Sequence, residues 1–146
     1  MTATADARLR DVVRTVLARR AGPAANAAGV ATAVRSAYAE LAGVLSPLIG
    51  QAGVDALAAR AVHLARAEHS LGPIRASDQT SSPFTQVTFW LERQDPAHAT
   101  EVASAVLANF AELLAAFVGE SLTTRLLLKA WPDGFPVPQS EETRTT

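Results

Sequence analysis

Cysteine is absent from the 146 residues. That removes a disulfide framework, thiol chemistry and any thiolate metal site. Aromatic residues are scarce, at 5%, and sheets draw heavily on aromatic and β-branched side chains, so β architecture is not expected. No charge of one sign dominates: 13 basic residues stand against 14 acidic ones, for a net charge of -1. Such a chain has no overall attraction to nucleic acid or to an anionic membrane, and neither is expected as a partner. No run of about 18 uninterrupted apolar residues occurs, so no membrane span is expected. The first twenty residues lack the apolar core of a secretory signal. With the missing cysteines, this makes a cytoplasmic location the expectation. Nucleophilic and phosphate-binding phrases are missing too, with no Gly-x-Ser-x-Gly and no P-loop. The expectation is a protein that is not an enzyme and has no cofactor.

What the chain has is alanine, roughly a fifth of all residues, the strongest helix former. Leu9, Val12, Val13, Val16 and Leu17 recur at helical spacing and define a first helix over about 5–20. Gly22-Pro23 ends it. A second helix is expected over about 25–49, kinked at Pro47 because proline cannot donate its backbone bond. Gly50 would cap it in the left-handed conformation. A third follows over about 52–69. Residues 83–94 fit either a strand or a short helix, and the helix is preferred because a lone strand would have no partner. Asp95 as N-cap and Pro96 in the first helical position open a fourth helix, which Gly119 closes. A fifth runs over about 121–131.

One phrase recurs along the chain. Leu45–Ala61 (LSPLIGQAGVDALAARA) aligns without a gap on Leu114–Ala130 (LAAFVGESLTTRLLLKA). Leu45 falls on Leu114, Gly50 on Gly119, Leu57 on Leu126 and Ala61 on Ala130. The expected fold is therefore all-α: a five- or six-helix bundle built from two αα-hairpins related by internal duplication. Residues 1–134 would form one helical domain, with hairpin one at about 25–69, a linker at 70–82 and hairpin two at about 95–131. Residues 135–146 would be a disordered tail.

Three sites compete. Small residues line one side of the second helix (Thr32, Ser36, Ala39, Gly43) and of the fourth (Ser104, Ala108, Ala111, Ala115). A bundle of this size covers only some of these faces. A two-fold homodimer would bury the rest, because one patch serves both partners. A helical interaction or assembly module is therefore the leading reading. The second reading is phosphotransfer or signalling. His63 points away from its helix's apolar stripe, and His63-Leu64-Ala65-Arg66-Ala67 resembles the His-x-Leu-Lys-Gly phrase of histidine phosphotransfer domains. That resemblance covers five residues and would make His63 the phosphoacceptor with Arg66 steadying the charge. The alanines depart from the family's Leu and Gly. The third reading is a small-molecule sensor, its ligand unknown, with an apolar pocket between the hairpins near Phe84, Phe89, Trp90, Phe110 and Phe117.

A metal site is not expected. Adjacent Glu68 and His69 point about 100° apart on a helix, and His98 with Glu101 also describes an ordinary first-turn pair.

Overall fold

The computed structural model describes residues 2–22, 26–69, 87–88 and 90–132. Among these the secondary structure is helical, in the order α1 (Thr2–Ala21), α2 (Ala27–His69), α3 (Pro96–Val118) and α4 (Glu120–Ala130). That is four helices, not five or six. Residues 51–69 form the second arm of α2, set off from the first by the non-helical backbone at Gly50. The described part of 83–94 is helical at 87–88 and 90–91. The Glu92 amide there donates to the Thr88 carbonyl, so this stretch is not a strand. The linker 70–82 and the tail 135–146 lie outside the described residues.

The starts of α2 and α3 are built alike. Asn26 Oδ1 accepts from the Gly29 amide at 2.8 Å. Asp95 Oδ2 accepts from the amides of Ala97 at 3.1 Å and His98 at 3.4 Å. Each cap satisfies amides that the first helical turn leaves without partners. Pro96 adds a preset φ at the first position of α3.

The breaks are alike as well. Pro47 lies inside the helix, and the break falls at Gly50, with φ 82° and ψ 156°. Gly119, between α3 and α4, has φ 98° and ψ 152°. These are positive φ with extended ψ, not the left-handed helical cap expected for Gly50. Only glycine takes this combination without strain.

Cross-chain contacts fix the directions. The Tyr38 ring meets Phe110 edge-on at 5.9 Å. Nearer the helix starts, Val30 shares a cleft wall with Ala97, Thr100 and Ser104. The first arm of α2 and α3 therefore run parallel, which puts both glycine breaks at the same end. The chain then turns back at each. Asn109 Nδ2 donates to the Ala61 carbonyl at 3.4 Å, so the second arm of α2 returns along α3. Trp131 Nε1 donates to the Ala37 carbonyl at 2.8 Å, so α4 returns along the first arm of α2. Helix α1 lies antiparallel to α3. Its Arg10 pairs with Glu112 at 3.1 Å, while Leu17 and Ala21 lie beside Ala97 and Thr100.

The core gathers Val13 and Val16 of α1, Val34, Leu41, Leu45, Val54 and Ala61 of α2, and Val106, Phe110 and Leu114 of α3. Leu127 of α4, Leu91 and Trp131 complete it. Burial of each large side chain contributes roughly 1.5–3 kcal/mol. Leu57 and Leu126, aligned in the repeated phrase, differ: Leu126 is buried and Leu57 half-buried.

By length and composition, α2 and α3 are each apolar enough to cross a membrane. Charged residues nevertheless fall within both runs, Asp55 in α2 and Glu101 and Glu112 in α3. The apolar window of α3 is 56% buried inside the chain, as a core helix requires, and that of α2 is 22% buried.

Candidate functional site

The end of the bundle that carries the two glycines holds most of the large apolar surface among the described residues. Leu48 is 59% exposed, Phe117 65% and Leu122 40%. Leu48 stands two residues before Gly50 and Phe117 two residues before Gly119. The reason is geometric. Each helix runs past the last core layer, Leu45 in α2 and Leu114 in α3, before glycine turns it back. The next residues on the apolar stripe then have nothing above them. Within four residues of either glycine the single charged side chain is Glu120.

The predicted assembly face divides. On α3, Ser104, Ala108 and Ala111 are buried within the chain and Ala115 is half-buried. A face already covered by the chain's own helices cannot also be offered to a second copy, so this half of the expectation is corrected. The reason is that α3 packs against α1, α2 and α4 at once. On α2, Thr32, Ser36, Ala39 and Gly43 are exposed. Polar bonds edge this face: Arg20 donates to Ser36 Oγ at 3.2 Å and pairs with Glu40, and Arg35 pairs with Glu92 at 2.7 Å.

Among the described members of the predicted pocket, no ring contact joins Trp90, Phe110 and Phe117. Phe84 and Phe89 lie outside the described residues. Phe110 is buried against Tyr38, Phe117 stands in solvent, and Trp90 lies against the His98 ring at 5.7 Å. His63 and Arg66 are both exposed, one turn apart on the second arm of α2, and neither bonds to another described residue. No group of three metal-ligating side chains occurs among the described residues. Glu68 sits at the end of α2, exposed, and its Oε1 accepts from buried Asn109 at 3.4 Å. Burial pushes the Tyr38 phenol above its usual range, and the nearby Asp55 carboxylate adds to the shift.

A cleft of about 470 Å³ opens at the other end, between α1, the start of α2 and the start of α3. Leu17, Ala18, Ala21 and Val30 form its apolar wall, and Arg14, Glu101 and Ser104 its polar part. In the sequence Arg14 reads as one of several arginines on a solvated face, and Ser104 as a spacer on a small-residue stripe. Only the antiparallel packing of α1 on α3 brings them to one place.

No protein-family model, curated protein or solved structure matches this chain.

Proposed function

We propose that the protein is a non-enzymatic helical assembly module that self-associates through the end bearing Gly50 and Gly119. The observation that carries this reading is the exposure of Leu48, Phe117 and Leu122 beside the two glycines. Large apolar groups gathered at one end and bordered by polar residues mark an interaction surface. The favoured occupant is a second copy of the chain. Leu48 and Phe117 give the patch two similar halves, which suits an isologous contact in which the patch meets itself. A membrane surface fits less well, because the charge at this end is the acidic Glu120 and interfacial anchors are usually basic.

Light scattering with mass measurement tests the reading. Wild type is expected to run as a dimer at about 100 μM, and Phe117→Glu as a folded monomer. A monomeric wild type at that concentration limits the association to less than about 5.5 kcal/mol and defeats the proposal.

The internal duplication belongs to the same reading. The 69-residue offset that aligns Gly50 with Gly119 also aligns Asn26 with Asp95, the start of α2 with the start of α3, and Leu48 with Phe117. Caps, helix starts, glycine breaks and exposed apolar residues share one offset, which supports a duplication. Counted this way, Gly50 divides α2 as Gly119 divides α3 from α4, and the bundle holds two hairpins and α1.

A further inference from the structure

We propose that the cleft between α1, the start of α2 and the start of α3 binds an apolar zwitterion, of the class of free hydrophobic amino acids and short hydrophobic peptides. The cleft lies at the opposite end from the glycine breaks, so this site stands independently of the assembly surface. Its volume, about 470 Å³, is in the range of small-molecule sites. Ala18 and Ala21 leave the space open, and Leu17 and Val30 supply apolar contact. Such walls take up an apolar body and give it no orientation.

Three polar groups supply the orientation. Ser104 is 8% exposed and lines the cleft, yet its hydroxyl makes no hydrogen bond to a described residue. That hydroxyl is not sealed in the core but opens on the cleft, so it is available to a ligand. The Thr100 hydroxyl is not, because it donates to the Pro96 carbonyl at 2.9 Å. Arg14 comes from α1 and Glu101 from α3, and both line the cleft. They form no ion pair with each other or with another described residue. A ligand with only a carboxylate would meet Glu101 unfavourably, and one with only an ammonium group would meet Arg14 unfavourably. A ligand carrying both places its carboxylate at the guanidinium and its ammonium at the Glu101 carboxylate, and its remaining polar atom can reach Ser104 Oγ.

Titration calorimetry of the full chain with L-phenylalanine, its amide and 3-phenylpropanoate tests the site. L-Phenylalanine should bind saturably, and the amide and 3-phenylpropanoate each about fivefold more weakly or worse, the scale of a partly exposed charged contact. Arg14→Gln should erase the preference over the amide alone, and Glu101→Gln the preference over 3-phenylpropanoate alone. Both side chains are exposed, so both variants should keep the wild-type melting curve. Three results overturn the proposal: no saturable heat with L-phenylalanine, equal binding of all three compounds, or tightest binding of 3-phenylpropanoate. Retained dimerisation with no binding sinks this site alone, and binding to a monomeric chain sinks only the assembly reading.

Discussion

Replacing Gly119 with alanine tests the glycine breaks most sharply, because the cost can be traced to the backbone alone. At φ 98° and ψ 152° the residue occupies a region that side-chain-bearing residues scarcely enter, which costs about 1–3 kcal/mol. A Cβ built there would meet no atom within 4 Å, so no clash adds to that figure. Alanine also narrows the unfolded ensemble, which returns about 0.4–1 kcal/mol. The net loss is about 1–2 kcal/mol, or roughly 2–8 °C in melting temperature for a chain of this size. Gly50, at φ 82° and ψ 156° with the same open surroundings, should respond alike. Gly43 is the control. It lies inside α2 with nothing within 4 Å of its added Cβ, and Gly43→Ala should stabilise by about 0.5–1 kcal/mol. Urea melts of the three variants provide the comparison. A neutral or stabilising Gly119→Ala refutes the backbone argument. A difference above about 1 kcal/mol between Gly50→Ala and Gly119→Ala refutes the equivalence of the two breaks.

Other consequences follow from particular contacts. Trp131→Phe removes the 2.8 Å bond to the Ala37 carbonyl and some core volume, and should cost about 1–3 kcal/mol in urea melts; a loss under about 0.5 kcal/mol would show that the indole bond does not matter. Asp95→Ala should cost about 1 kcal/mol, as should Asn26→Ala, because each removes an N-cap; an unchanged melting temperature would mean that solvent satisfies those amides as well. Tyr38 is the single tyrosine of the chain, so ultraviolet titration reads it directly. Its folded pKa is raised, so the folded state holds the phenol proton more tightly. That contribution to stability is complete below the unfolded value of about 10 and is lost as pH rises through the folded value. A titration midpoint at or below about 10 would contradict the burial of the phenol.

The sequence made the local features legible, because each is written in a few neighbouring residues. Asp95-Pro96 announces a helix start, Gly50 and Gly119 announce breaks, and the stripe of Val102, Val106, Phe110 and Leu114 is the buried face of α3. The number of neighbours around each helix was not legible. Projection separates the apolar from the small side of α3 but cannot tell that α1 covers the small side, so Ser104, Ala108 and Ala111 looked available and are buried. Phe117 continues the stripe by spacing, yet it lies beyond the last core layer at Leu114 and stands in solvent. Glu68 lies on the apolar side of its arm but at the helix end, where it reaches water. The cleft depends on the packing of α1 against the start of α3, a contact between residues far apart in the chain with no local signature.

The central claim is that two copies meet at the glycine end, and spin-label distances test it most directly. The cysteine-free chain allows single labels at Ser121→Cys, beside Gly119, and at Ala28→Cys, in the first turn of α2; both positions are exposed. The first arm of α2, from residue 27 to the break at Gly50, is about 35 Å long at 1.5 Å per residue. Two bundles joined end to end at the glycines should therefore bring the labels at 121 within about 30 Å of each other and hold those at 28 more than about 60 Å apart. A short distance at 28, or no measurable coupling at 121, would contradict the account.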